Sequence, residues 1–191
     1  MNKRGDSASS NDHNLVEKAL QGERKAFEMI VRKYQTPLLN YIGRMVGNRE
    51  LALDMTQDVF LKIHTALSQY KPEYKFSTWL FKITRNHVID YWRKKKIKAF
   101  STDQEENHLF SKEIPADDPP LCRTMELTEI REKIEAALEK LPTSLRELFV
   151  WRHINELSYE EIAEIKDLPL GTVKNRVFQA KEMLRHLIGE I

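Results

Sequence analysis

The sequence predicts an all-α protein of two small helical domains joined by a flexible linker. Apolar residues recur at spacings of three and four through most of the chain, and no stretch alternates as a half-buried strand would. That periodicity stops between residues 98 and 121, where Pro115, Pro119 and Pro120 appear. Charge divides at the same place. Between Lys82 and Lys98, the cations Lys82, Arg85, Arg93, Lys94, Lys95, Lys96 and Lys98 stand against Asp90 only, whereas between Ala99 and Pro120, Asp103, Glu105, Glu106, Glu113, Asp117 and Asp118 stand against Lys112 only. A formal net charge of +2 hides this segregation, which suits separate partners for each block.

Taken in order, residues 1–11 are small and polar and read as a disordered tail. The first domain is expected over 12–97. Asp12 can cap a helix carrying Leu15, Val16, Ala19 and Leu20, which Gly22 closes. Phe27, Ile30, Val31 and Tyr34 form a second run, and Pro37 suits the first turn of a continuation with Leu38, Leu39, Tyr41, Ile42 and Met45. Gly47-Asn48 offers a stop followed by a new N-cap. The next helix carries Leu51, Met55, Val59, Ile63 and Leu67. After the loop "SQYKPEYKF", Ser77 can cap a helix through Trp79, Leu80, Ile83, Val88 and Tyr91.

Beyond the acidic linker at 98–121, the second domain is expected over 122–191, about 70 residues with a small core. One helix carries Leu127, Ile130, Ile134, Ala137, Leu138 and Leu141, and Pro142 ends it. "TSLRELFVWRHI" reads as another. Ser158 and Glu161 then form an S-x-x-E capping box, so a helix begins at Tyr159. Asp167 stands where the chain must leave that helix in a left-handed conformation, and Pro169 prevents continuation. Gly171-Thr172 opens a last helix with Val173, Val177, Ala180, Leu184 and Leu187 inward.

Two short helices with such a turn, Tyr159 to Phe178, make a helix-turn-helix pattern whose second helix can enter a DNA major groove. Thr172, Lys174, Asn175, Arg176, Phe178, Gln179 and Lys181 fall outside. Amide side chains can pair bidentately with adenine, and cations hold phosphates or read guanine. In the first domain, Tyr70, Tyr74, Phe76, Trp79, Tyr91 and Trp92 are interleaved with basic residues, a mixture suited to unpaired bases and their backbone. For Trp79, Leu80 and Ile83, core packing remains an equal alternative.

Enzyme chemistry finds little support. The chain has no phosphate-binding loop motif, no H-E-x-x-H and no paired Cys ligands, so no cofactor or metal is expected. Cys122 stands alone and reads as an ordinary thiol. No apolar run approaches the roughly 20 residues of a membrane span, and the N-terminus lacks a signal-like apolar stretch. A cytoplasmic location is expected. A ligand-gated or phosphoacceptor regulator could use the same helix pair, but the first half shows neither sensor. A purely protein-binding adaptor would leave the polar set from Lys174 to Lys181 unexplained.

Three segments, "DMTQDVFLKIHTAL", "FSTWLFKITRNHVIDYWRKKK" and "LSYEEIAEIKDLPLGTVKNRVF", taken in this order, resemble the short extracytoplasmic-function (ECF) RNA polymerase sigma factors, and the likeness covers nearly all of the chain from Asp12. The resemblance implies a region-2 domain and a region-4 domain. It implies that Asp54 to Leu67 holds the clamp helices of the polymerase's largest subunit, with Asp54, Gln57, Asp58, Phe60 and Leu61 as contacts. It implies that Tyr70, Lys71, Lys75, Trp79, Asn86, Asp90, Arg93 and Lys94 serve the minus-10 element, where a base is flipped and captured. The second helix of the pair would read the minus-35 element as duplex, and the acidic linker would thread toward the active-site cleft and RNA exit path. An anti-sigma protein, often membrane-bound, is implied as a controlling partner. Gln179 and Asn175 depart from residues common in the family, which implies a different minus-35 preference.

Overall fold

The computed structural model describes residues 3–101 and 125–189, with side chains over 11–97, at 130, and over 132–189. Helices are the regular elements throughout the described residues. They fall into two compact units, residues 1–111 and 112–191, each built around its own interior. The acidic segment with its prolines, Cys122 and the side chain of Leu127 lie outside what is described.

The first unit comprises α1 (Lys3–Leu20), α2 (Arg24–Val46), α3 (Arg49–Ala66) and α4 (Phe76–Ser101). Helix α2 packs on α1, α3 and α4. Its inward face supplies Ile30, Leu38, Tyr41 and Ile42, all fully buried, against Val59 and Ile63 of α3 and Leu80 of α4. Burial of side chains this size is worth about 1.5–3 kcal/mol each, and this sets the packing order. Gly47 turns left-handed at φ 70° and closes α2 with a bond to the Gly43 carbonyl; the Asn48 side chain then accepts from Leu51 N–H at 2.8 Å. Both signals at that corner are therefore used.

Five expectations change here. Residues 3–11 belong to α1, because the helix anchored by buried Leu15 and Val16 propagates toward the N-terminus. Asp12 caps nothing. It lies inside α1, 4% exposed, and accepts from Lys33 and, at 2.6 Å, from the Tyr34 hydroxyl. Pro37 neither starts nor breaks a helix; α2 runs through it, because the buried face on both sides outweighs one missing hydrogen bond. Helix α4 begins at Phe76, with Trp79 N–H on the Lys75 carbonyl, and so Ser77 sits in the first turn. At its other end α4 extends to Ser101, four residues past the expected boundary at 97.

The second unit comprises α5 (Met125–Lys140), α6 (Thr143–Phe149), α7 (Tyr159–Lys166) and α8 (Leu170–Gly189). Its core joins Ala137 and Leu138 of α5, and Leu141 just past its end, to Ala180 and Leu184 of α8, with Leu145, Phe149, Ile154 and Leu187 packed around them. The apolar stripe of α5 is only half used. Ile130 and Ile134 remain 53% and 36% exposed among the described residues. Buried Arg146 donates to the Glu139 carbonyl and, at 3.1 Å, to that of Leu141, satisfying the end of α5.

Candidate nucleic-acid interfaces

In the second unit, local chemistry sets α7 and α8. Glu161 N–H donates to Ser158 Oγ at 3.1 Å, and Ser158 N–H donates to Glu161 Oε2 at 3.0 Å, so the capping box forms in full. Asp167 is left-handed at φ 54°, ψ 50°, as its position in the turn requires. Pro169 then starts α8 by accepting from Thr172 and Val173 N–H at 2.9 and 3.1 Å. Val173, Val177, Ala180 and Leu184 are buried on the inner face of α8. Lys174, Asn175, Phe178, Gln179 and Lys181 are exposed, and Thr172 and Arg176 are half-buried beside them. Phe178, at 62% exposed, is a large apolar ring offered on an otherwise polar face.

Before α7 the chain makes a π-helical turn, Val150–Ile154, closed by Asn155 N–H on the Val150 carbonyl at 2.9 Å. The wider turn sends Arg152 to the Tyr159 ring, with its guanidinium 4.6 Å from the centroid, while Lys174 approaches the same ring at 5.9 Å. Arg152 also donates to the Leu157 carbonyl at 2.9 Å. His153 stacks on Phe149 with centroids 4.6 Å apart. Burial, then Arg152 and Lys181, hold its pKa below the usual histidine range. Arg152 and Tyr159 thus join the positive face of α8. Sequence spacing misses them because the π turn, which no residue pattern announces, brings them there.

In the first unit, the loop between α3 and α4 is tightly braced. Tyr70 Oη donates to the Tyr74 carbonyl at 2.7 Å, and Tyr74 N–H donates to the Lys71 carbonyl at 3.1 Å. The Tyr70 ring is 8% exposed, at 5.3 Å from Phe76 and 5.5 Å from Trp79, and His13 of α1 lies 5.8 Å away on another side. Burial, with Asp12 adding to it, pushes the Tyr70 phenol up to about 12. Tyr70 therefore belongs to the loop's scaffold, and Trp79, half-buried, packs on it. The surface they support is Lys71, Tyr74, Lys75, Asn86, Asp90, Arg93 and Lys94, all exposed. Asp90 stands 3.8 Å from Arg93. Farther along α4, Lys95 sits 5.7 Å over the Trp92 ring.

On α3, Asp54, Gln57, Asp58 and Leu61 are exposed, and Leu61 is 68% so. Phe60 is 9% exposed and turns to the core, because residues one position apart on a helix diverge by about 100°. Leu53, 39% exposed, replaces it at the surface. Leu53, Gln57 and Leu61 then form one stripe at intervals of four, a spacing legible in the sequence once the inward face is assigned. Among the described residues no cluster of His, Cys, Asp and Glu could hold a metal ion, and no helix is long and apolar enough to cross a membrane.

Two family patterns match this chain. Sigma-70 region 2 covers residues 30–97, and Sigma-70, region 4 covers residues 131–184. The RNA polymerase sigma-H factor of Pseudomonas aeruginosa is 32% identical over 91% of both chains. The ECF RNA polymerase sigma-E factor of Escherichia coli K12 is also 32% identical, over 91% of this chain and 92% of that one. Among solved structures, CnrH in complex with the cytosolic domain of CnrY superposes with a TM-score of 0.69 at 25% identity, covering 94% of this chain and 98% of that chain. The sigma factor RpoE of Bartonella quintana, in complex with the anti-sigma factor NepR, shares the fold with a TM-score of 0.71 at 22% identity, covering 86% and 98%. The chain belongs to the ECF RNA polymerase sigma factors of the sigma-70 family.

Proposed function

We propose that this chain joins core RNA polymerase through the exposed stripe of α3, directs it to particular promoters, and promotes melting of the minus-10 element. The observation that carries this is the division of α8: an unbroken buried stripe on one side, and Lys174, Asn175, Phe178, Gln179 and Lys181 together on the other. Such a face fits the major groove of duplex DNA at a minus-35 element, with Thr172 and Arg176 at its margin and Arg152 and Lys174 available to phosphates. Melting is assigned to the braced loop at 71–75 with Asn86. A turn held by hydrogen bonds and buried rings is preorganised, which lowers the cost of capturing an unpaired base. Tyr74 is the loop's open ring, and Arg93 and Lys94 lie where a backbone would pass.

Leu53, Gln57, Asp58 and Leu61, with Asp54 beside them, form the polymerase-docking surface in this proposal, and Phe60 supports it from inside. The acidic segment at 98–121 occupies a nucleic-acid route in the polymerase by mimicking its charge. An anti-sigma protein restrains the factor, as suits a fold shared with RpoE of Bartonella quintana bound to the anti-sigma factor NepR, and the site of action is the cytoplasm. The test is run-off transcription from a candidate promoter with purified core polymerase, with and without the full chain. A promoter-specific transcript that requires the chain is expected; equal transcripts in both reactions would reject the proposal.

A further inference from the structure

Asp58 and Lys62 stand four residues apart on α3, where a carboxylate and an ammonium normally reach each other directly. They do not do so here. Lys62 Nζ lies 2.7 Å from His87 Nδ1 of α4, and Asp58 Oδ2 lies 3.9 Å from His87 Nε2. An ammonium can only donate, so Nδ1 accepts, and the neutral imidazole carries its proton on Nε2, toward Asp58. Nε2 is buried and makes no hydrogen bond. The imidazole is 15% exposed while the Asp58 side chain remains 63% exposed. His87 therefore works as a spacer that draws the lysine inward and leaves the carboxylate outside.

We propose that His87 is a positioning residue for polymerase docking: by holding Lys62, it keeps the Asp58 carboxylate open to a cationic group on the partner. This rests on the docking role given to α3 above. The groups around the imidazole are Asp58 and Lys62 of α3 and Asp90 and Lys94 of α4. Burial first, then Lys62, keep its pKa below the usual histidine value of 6.5, although the two carboxylates pull the other way. The neutral form thus prevails at neutral pH. Protonation would place an N–H on Nδ1 against the Lys62 ammonium and expel it. The imidazolium would then pair with Asp58 and cancel the charge that docking uses.

The experiment measures affinity of the full chain for core polymerase by fluorescence anisotropy, from about pH 7.5 down to about pH 5.5. Wild type should weaken as the pH falls below 6.5. His87→Gln offers Lys62 a carbonyl and Asp58 an N–H without titrating. It should match wild type within about twofold at neutral pH and show a flatter profile. His87→Leu frees Lys62 to neutralise Asp58 and should lower affinity about threefold to tenfold, the scale of a rim charge lost from an interface. Adding Lys62→Met to His87→Leu should restore it, a rescue that a merely structural histidine would not permit. Wild-type affinity in a folded His87→Leu variant, or no rescue, overturns the proposal. If His87→Leu does not fold, the profile of His87→Gln decides, and a profile as steep as wild type overturns it. Wild type that never binds core polymerase would instead overturn the docking role of α3 itself.

Discussion

In the C-terminal unit, the devices that shape the presented face lie close to it in sequence; in the N-terminal unit, they reach it from distant helices. Ser158, Glu161, Asp167 and Pro169 set α7 and α8 from within the turn they build. The loop at 70–75 depends instead on α1. His13 approaches the Tyr74 carbonyl across 61 positions of sequence, while Asp12 secures Tyr34, whose ring meets Phe76 at 5.7 Å. A duplex-reading helix needs only a stable helix with the right outer residues. A base-capturing loop must hold an irregular backbone in place, and that takes packing from several sides.

An ion pair between helices in each unit offers a sharp way to separate the two: Asp12 with Lys33 in the first, where only the carboxylate is buried, and Glu147 with Lys166 in the second. Glu147 of α6 meets Lys166 of α7, with side chains 10% and 12% exposed. Glu147→Ala strands the ammonium and should cost the second unit about 3 kcal/mol, read by calorimetry, with the first unit's transition unmoved. A common shift of both transitions would mean the units do not fold separately. Asp12→Asn keeps the shape but removes the charge from a site that binds Lys33 and Tyr34. It should cost the first unit about 2 kcal/mol and speed hydrogen exchange in the loop at 70–75. A stability loss without faster loop exchange would detach α1 from the loop's rigidity.

Ser158→Ala removes one half of the capping box and should cost about 1 kcal/mol in the second unit alone. The smallest effect concerns pH. His153 has a folded pKa below 6.5, so the unfolded chain binds its proton first on acidification. Its contribution is present above 6.5 and is lost as pH falls through the folded value. Denaturant midpoints of the second unit should therefore drop below pH 6.5, and His153→Gln should flatten that slope. An unchanged slope would assign the dependence to other groups.

Much of this site was legible because its cause is local. The Gly47-Asn48 corner, the capping box, left-handed Asp167 and the buried stripe of α8 all follow from residues within one or two turns of where they act. Tyr70 shows the opposite case. An aromatic in a basic loop reads as a stacking residue, and only the neighbours Phe76, Trp79 and His13 reveal that the ring is enclosed. Phe60 was misplaced for a simpler reason: a short motif counts residues, whereas a helix rotates about 100° between them. Arg152 and Tyr159 were missed because their meeting depends on a π turn that has no sequence signature.

An all-α chain, the positions of most helices, the helix-turn-helix and the polar outer face of α8 are all legible in residue order. Hydrophobic period and capping chemistry act over a few residues, and both can be read from order alone. Packing between helices is what makes Asp12 an inter-helix anchor, keeps Pro37 inside a continuous helix, and stands His87 between Asp58 and Lys62. Each of these is settled by which helix packs on which. That depends on the sum of buried surfaces across a whole unit, and no single segment carries it.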